Sequence, residues 1–583
     1  MAPQAAFAIL DSVEIPMRDG TILRADIWLP DHREARPVLL QRTAYRKEDA
    51  FGTQYISALD FRAALRRGYA IVVQDTRGRY ASDGVFRPFA DEAADGVDTL
   101  ARLREQEFCN GKVMMFGASY VGATQILAAS KAPEGLVAVS AHLTTGRYGE
   151  TRTYRGWGHR AGFPAALDHG IAWSRRSAAT AGLSFCPRRR TCATPPGEMQ
   201  QSPSKVFARL PVLDDDLPAP APYAAGWFNH DRAASSGADR ENLDAPARSA
   251  LPYLVSGGWN DLFLEGTIEL FETVRRRWVR PEDVRDRLII GPRSHGNPSD
   301  WQGDFWFGYS ASTDGLPEEQ LQFFDAARTG SVPSSPMVRY FRSGSNTRHG
   351  APDWPLPGTQ RRDLHLSPEC SGAPAVADWS CFYRSDPLDP VPTTGGANFI
   401  PGLLMGRNSG PKDRATVEQR PDVATFTSAP LEAELEVTGL VEAALWVSSS
   451  GPSSDWTARL CVVEPSGRSI GLVDGITRRS DRAGSPTEVT VRLGHISHLF
   501  SKGSRLRLQV ASSNYPRFDR NPQSGVPSTD ASTADFRIAS QTIQGGPTMP
   551  SRLTIPVPAR PFPSRSGLAE RDATAPSNPT SVG

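Results

Sequence analysis

Val113-Met114-Met115-Phe116-Gly117-Ala118-Ser119-Tyr120-Val121-Gly122 runs from an apolar strand into a glycine-flanked serine and straight on into a helical stretch ending near Ala129. Strand, tight turn and helix in that order make a nucleophile elbow: the turn forces the serine backbone into a strained conformation and lifts its hydroxyl above the sheet edge. Glycines are needed two residues before and three after the serine, because side chains there would collide with the neighbouring strand and helix. The spacing is Gly-x-Ser-x-x-Gly rather than Gly-x-Ser-x-Gly. A plain Gly/Ser turn between a buried strand and a helix gives the same local pattern, so the neighbouring elements have to decide.

Upstream, Val38-Leu39-Leu40 and Ala70-Ile71-Val72-Val73 are short, apolar or β-branched, and bounded by turn residues, as buried parallel strands are. Between the strands, Asp60–Arg67 and Glu92–Glu107 have amphipathic helical periodicity. This βαβ rhythm predicts a doubly wound parallel sheet with right-handed crossovers over residues 8–147. From 148 to 245 the rhythm gives way to helical patches among Pro- and Arg-rich loops, the texture of an inserted helical cap. It resumes at Pro252–Gly257 and Arg287–Gly291, so residues 1–147 and 246–355 together predict one α/β-hydrolase domain.

A serine hydroxyl is a weak nucleophile at neutral pH and needs a general base that is itself oriented by a carboxylate. In α/β-hydrolases the three follow in the order serine, acid, histidine, each on a loop after a strand. The strand at 252–257 leads into Gly258-Trp259-Asn260-Asp261, and the strand at 287–291 into Pro292-Arg293-Ser294-His295-Gly296-Asn297. Ser119, Asp261 and His295 thus arrive in order at carboxyl ends of strands, where such sheets build their sites. Of the ten histidines, only His295 sits in a Gly/Pro-framed loop after a resumed strand.

Beyond residue 355 the texture is all-β. Leu431–Val437, Val441–Val447 and Arg505–Val510 alternate apolar and polar residues, and short strands spaced by Gly, Pro and Ser predict a jelly-roll sandwich over 356–563. The Ser/Pro/Thr/Ala-rich tail from 564 to 583 predicts disorder.

The 583 residues are too many for one ordinary core. Lys+Arg 65 against Asp+Glu 64 leaves a net charge of +1, which offers no electrostatic argument for nucleic acid or an anionic membrane surface, and neither is expected as a partner. Arg188–Arg190 and Arg275–Arg277 are expected to be solvated faces. The six cysteines lack metal-ligand spacing and are expected to be reduced thiols, although Cys186 and Cys192 are near enough in sequence to pair. No segment approaches the ~18 apolar residues of a membrane span, and the amino terminus has no basic, apolar leader. A soluble, cytoplasmic protein is the expectation.

Taken together, Pro16–Gly20, Gln74-Asp75-Thr76-Arg77-Gly78, the Gly117–Gly122 elbow, Gly258–Asp261, Gly291–His295 and Ser512-Ser513-Asn514-Tyr515-Pro516 resemble the cocaine-esterase-like serine hydrolases. That family also holds X-Pro dipeptidyl peptidases and α-amino-acid ester hydrolases, and the resemblance spans nearly the whole chain. It implies an α/β-hydrolase domain, an inserted helical cap and a carboxy-terminal jelly roll. It also implies an oxyanion site made by a tyrosine hydroxyl after the first core strand, here Tyr45, and by the backbone N–H of Tyr120. Aromatic residues of cap and acid loop line the acyl pocket in the family, and Trp157, Trp173 and Phe263 stand at matching positions. The sequence departs from the family in the cap stretch 186–196, in Asp214-Asp215-Asp216, and in Arg293 beside the histidine. The Asp run has the chemistry to receive a substrate ammonium or to form a solvated loop; Arg293 has that to favour an anionic substrate or to point outward. Asp75 and Arg77 are expected to brace a loop through an ion pair.

Three functions remain open. The first is a serine esterase acting on a small-molecule ester through an acyl-enzyme. The second is an amidase, aminopeptidase or acyltransferase using the same residues, and the third is a binding module built on the β-sandwich. No metal or organic cofactor is required, since the chain supplies nucleophile, base and oxyanion donors. The sandwich also offers surface enough for a homodimer.

Overall fold

The computed structural model describes residues 7–30, 34–48, 59–147, 154–155, 158–159, 244, 248, 250–295, 297–311, 315–367, 375–398, 408–480 and 483–559. Nearly all of the segment expected to form the cap, with Trp157, Trp173, Cys186, Cys192 and Asp214–Asp216, lies outside the described residues, as does the tail from 564.

One ten-stranded sheet organises the first half. Its strands are β1 (Phe7–Pro16), β2 (Ile22–Pro30), β3 (Arg36–Thr43), β4 (Ala70–Asp75), β5 (Cys109–Ala118), β6 (Leu136–His142), β7 (Tyr253–Asn260), β8 (Arg287–Ser294), β9 (Val338–Arg342) and β10 (Thr347–Ala351). They lie in the order β1-β2-β4-β3-β5-β6-β7-β8-β9-β10. From β4 to β9 every pairing is parallel. At the margins β1–β2, β2–β4 and β9–β10 are antiparallel. The sheet is therefore mixed rather than wholly parallel: the short turns at Met17–Thr21 and Ser343–Asn346 make hairpins of β1–β2 and β9–β10, and β2 joins the parallel core antiparallel to β4.

Both faces of the parallel core are covered, which is why its strands are continuous apolar runs. On one face Leu39, Ile71, Val73, Met114 and Phe116 pack with α1 (Phe61–Arg66) and α5 (Leu316–Thr329). On the other, Val38, Leu40, Val72, Val113 and Met115 pack with Leu100 and Leu103 of α2 (Glu92–Arg104) and Ala128 of α3 (Tyr120–Ala129). Farther along that face, Val139, Val255 and Ile290 meet Ile268 and Phe271 of α4 (Leu264–Arg275). Every residue of α3 is buried, so the helix behind the elbow has no solvent face. A Cβ at Gly96 would sit 2.6 Å from Ala128 Cβ, so glycine lets α2 lie close against α3.

The second half forms two antiparallel sheets. One contains Leu435–Ser449, Thr487–Phe500, Ala539–Gly545 and Arg552–Val557. The other contains Ala424–Thr427, Ser454–Val463, Ser469–Arg479 and Arg505–Ala511. Val437, Leu445, Trp456, Leu460 and Leu508 share one core between them. The expected strands at 431–437 and 441–447 are one continuous strand that begins only at Leu435. Cys109, Cys381 and Cys461 are free thiols.

The two halves touch behind the future site. Glu265 of α4 accepts both the backbone N–H and the Nδ1 side of His495, at 2.8 and 2.9 Å. Ser409 Oγ donates to Ser294 Oγ at 3.1 Å, and Lys412 pairs with Asp304 at 2.9 Å.

Candidate active site

Ser119 follows β5 with φ 59° and ψ −126°, a left-handed conformation that a non-glycine residue holds only when its surroundings enforce it. The surroundings do. Its N–H donates to the His142 carbonyl at 2.9 Å, and its own carbonyl accepts the Thr144 hydroxyl at 3.0 Å. A Cβ at Gly117 would lie 2.3 Å from Val121 Cγ1, and one at Gly122 would lie 2.7 Å from Thr144 Cγ2. The two glycines therefore meet the helix and the strand exit, the collisions expected from the spacing.

The loops after β7 and β8 bring the other two residues in. His295 Nε2 lies 3.0 Å from Ser119 Oγ, and His295 Nδ1 lies 2.6 Å from Asp261 Oδ2. Asp261 is 1% exposed, and its second oxygen accepts the Phe263 N–H at 2.7 Å. With the proton on Nδ1 shared with the carboxylate, the Nε2 lone pair faces the serine hydroxyl. The surrounding motifs hold this alignment. Gly258 lets the β8 backbone approach, since a Cβ there would be 2.1 Å from the Arg293 carbonyl. Trp259 Nε1 donates to Phe341 O on β9 at 2.5 Å, and Asn260 Nδ2 donates to Pro292 O at 3.0 Å, tying the end of β7 to the end of β8.

Tyr45 follows β3, the strand next to β5. Its phenol hydrogen-bonds Ser119, and the Tyr120 N–H reaches the same phenol oxygen. Burial pushes the phenol up to about 12 against those bonds and the Arg79 charge, so at neutral pH it is a protonated donor. Tyr120 itself donates its hydroxyl to buried Glu92 at 2.7 Å, and Glu92 is paired with Arg42 at 2.9 Å. Its ring packs against Phe89 and Phe86 at centroid distances of 4.8 and 5.9 Å.

Phe263 sets its ring edge-on to His295 at 5.2 Å. Of the three aromatic residues expected in the acyl pocket it alone is described; Trp157 and Trp173 are not. Arg77 braces by ion pairs, to Asp95 at 2.6 Å and Asp19 at 2.7 Å. Asp75 works differently: its two oxygens accept the N–H groups of Lys47 and Ala81 at 2.9 and 3.2 Å. Burial pushes its carboxyl up to about 7 in spite of those bonds. Among the described residues no cluster of His, Cys, Asp and Glu could hold a metal ion, and no helix is long and apolar enough to cross a membrane.

Two supports carry no sequence signal of their own. Gln302, fully buried, accepts the Ser294 N–H at 2.9 Å and donates to Asn297 O and Ser299 O at 2.9 and 2.8 Å, setting the histidine loop. His142, on β6 beneath the elbow, lies 2.7 Å from Ser256 Oγ, 3.0 Å from Ser140 Oγ and 2.7 Å from Gln320 Nε2. Burial, helped by the Arg293 charge, lowers it from 6.5 to about 3. Between those values the unfolded chain binds a proton that the folded chain refuses, so stability falls as pH drops through 6.5. The expected contribution is about 1.4 kcal/mol per pH unit for one proton. Urea midpoints at pH 7 and pH 5 should therefore diverge less for His142→Gln than for wild type; equal divergence removes His142 from the acid sensitivity.

Residues 19–297 match the X-Pro dipeptidyl-peptidase (S15) family, and residues 331–554 match the X-Pro dipeptidyl-peptidase C-terminal non-catalytic domain. The cocaine esterase of Rhodococcus sp. (strain MB1 Bresler) is 32% identical over 590 residues, covering 94% of this chain and 99% of that protein. Among solved structures, an aminopeptidase of a Thaumarchaeota archaeon superposes with TM-score 0.80 at 22% identity, covering 96% of this chain and 98% of its own. An α-amino acid ester hydrolase superposes with TM-score 0.76 at 24% identity, covering 94% and 96%. These two structural likenesses bear on the fold.

Proposed function

The chain belongs to the S15 family of α/β serine hydrolases, in company with cocaine esterase, and from that premise we propose that it cleaves a carboxylic ester through an acyl-enzyme on Ser119. The observation that carries this reading is the continuous hydrogen-bonded chain from Ser119 Oγ through His295 to Asp261. His295 Nε2 takes the serine proton as Oγ attacks the ester carbonyl, and Asp261 steadies the imidazolium that forms. The carbonyl oxygen gains negative charge where the Tyr45 hydroxyl and the Tyr120 N–H converge. In the resting enzyme these donors engage Ser119 and the phenol oxygen; a substrate oxygen takes over as their shared acceptor. His295 then returns its proton to the leaving alkoxide. Water, deprotonated in turn by His295, attacks the acyl carbon, and the proton passes from His295 to Ser119 Oγ as the C–Oγ bond breaks and the acid leaves.

Phe263 is the proposed near wall of the acyl pocket, pressed on the histidine ring. Trp157 and Trp173 are proposed for the same wall from the residue correspondence alone. The family description also favours a second reading, hydrolysis of an amide or peptide bond by the same residues.

Turnover of p-nitrophenyl esters of small apolar acids is expected to exceed that of aminoacyl-p-nitroanilides. Faster anilide cleavage transfers the assignment to an amidase, and a product ester formed when an alcohol is added makes it an acyltransferase. Tyr45→Phe should fold normally and lower kcat by about two to three orders of magnitude, the usual worth of one oxyanion donor. Wild-type kcat in that variant takes Tyr45 out of the mechanism.

A further inference from the structure

Tyr45 sits in a loop whose own backbone is poorly suited to hold it. The next residue, Arg46, has φ 81°, a left-handed conformation in a residue with a long side chain. Such conformations persist only where neighbouring groups fix them. Two side chains of one turn do so here, from opposite sides of Tyr45. Asp75 Oδ1 accepts the Lys47 N–H at 2.9 Å, two residues after the tyrosine. Arg79 Nε donates to the Ala44 carbonyl at 3.0 Å, one residue before it.

The turn itself is rigid. Asp75 Oδ2 takes the Ala81 N–H at 3.2 Å, and Ser82 Oγ donates to the Asp75 carbonyl at 2.7 Å. Arg79 N donates to Thr76 O at 3.0 Å, and the Thr76 N–H reaches back to Thr43 O at 2.9 Å. Asp75 and Arg79 are 0% and 2% exposed, so water does not compete for these bonds. The Arg79 guanidinium lies 5.1 Å from the centroid of Phe86, whose ring packs on Tyr120. The same arginine thus touches the surroundings of both oxyanion donors.

From this geometry we infer that Asp75 and Arg79 are positioning residues: they clamp Ala44 and Lys47 so that the Tyr45 hydroxyl meets the oxyanion and not merely so that the loop folds. The inference rests on the oxyanion role of Tyr45. Asp75 is the sharper probe, because both its oxygens are used as acceptors. In Asp75→Asn the amide oxygen serves one backbone N–H and the amide NH2 faces the other, donor against donor. Either the Lys47 bond itself or the Ala81 bond that holds the carboxylate toward Lys47 is lost, with almost no change of volume.

The test is a cycle of Asp75→Asn, Tyr45→Phe and the double variant, assayed on one p-nitrophenyl ester. Asp75→Asn alone is expected to lower kcat about tenfold to a hundredfold with KM changed by less than about twofold, since the oxyanion exists only beyond the ground state. In the Tyr45→Phe background the same substitution should cost no more than about twofold, because the hydroxyl it positions is gone. Losses that multiply in the double variant overturn the clamp and leave Asp75 a general brace. Wild-type kcat in Asp75→Asn overturns it as well. Wild-type kcat in Tyr45→Phe alone instead overturns the oxyanion reading, so the two failures are told apart. Should Asp75→Asn not fold, by far-UV circular dichroism, Arg79→Lys takes its place. That change keeps the charge, drops the Nε bond to Ala44, and must show the same loss of effect beside Tyr45→Phe.

Discussion

Ser119→Ala is expected to lower kcat on the order of a million-fold, the loss seen when the attacking oxygen of a serine hydrolase is removed. The geometry gives the reason. Every step proposed for His295 and Asp261 begins with attack by Oγ: Nε2 faces that oxygen at 3.0 Å, and Asp261 orients the ring from behind at 2.6 Å. The residue left over is not inert. Tyr45 and the Tyr120 N–H still face the place where the oxyanion forms, so a residual rate of roughly a thousandfold to ten-thousandfold over water should persist. The backbone at residue 119 is held by His142 and Thr144, not by its side chain, and the thermal midpoint should stay near wild type. Steady-state rates of both proteins on one p-nitrophenyl ester measure the ratio. A loss below about a hundredfold would mean that another nucleophile acts.

Asp261→Asn is expected to cost on the order of 10⁴ in kcat through the histidine tautomer rather than through structure. Asp261 Oδ1 already accepts the Phe263 N–H, so the asparagine oxygen keeps that bond and its NH2 turns to His295 Nδ1. A donor facing Nδ1 forces the imidazole proton onto Nε2, and the ring then offers the serine a hydrogen where it needs a lone pair. Raising the pH should restore part of the rate, because hydroxide can remove the serine proton that His295 no longer takes. A kcat within tenfold of wild type would show that the carboxylate serves only to pack the loop.

Much of this site is legible in the sequence because its parts are local. The elbow needs glycines at 117 and 122, and a Cβ at either would meet Val121 or Thr144. Asp261 and His295 each follow directly on a strand, so chain order alone puts them at one sheet edge. The strands run farther than their apolar cores suggest, to Asn260 and Ser294, and Gly258 lets the ladder continue where a Cβ would collide with the Arg293 carbonyl. What stayed hidden depends on contacts between distant segments. Glu92 is one more acid in the first turn of an amphipathic helix until α2 is laid on α3 and its carboxylate meets Tyr120. Gln302 lies in an unremarkable stretch, yet it closes the histidine loop. The alternation at Leu431–Glu434 reads as a strand but finds no ladder. Glu432, Ala433 and Glu434 face solvent, and Leu431 exchanges its backbone bonds with the turn at Gly503–Ser504.

The supports also divide between the halves of the molecule. The acid loop leads into α4, whose Glu265 is held by His495, and the histidine loop is touched by Ser409. Both contacts come from the carboxy-terminal half, so loosening that half should disturb alignment before it disturbs the elbow, whose backbone bonds run to His142 and Thr144 of the first half. Substituting Glu265 by Gln removes a charge from this seam and leaves the elbow bonds in place. A rate loss there matched by slower fluorophosphonate labelling of Ser119, at an unchanged thermal midpoint, would be the mark of misaligned acid and base.

The most direct measurement of the central claim is reaction of the folded protein with a fluorophosphonate, followed by intact mass and peptide mapping. One adduct per chain, located on Ser119 and absent from Ser119→Ala, is the predicted result. A folded wild-type protein that takes up no adduct, or an adduct that maps elsewhere and survives in Ser119→Ala, would contradict it.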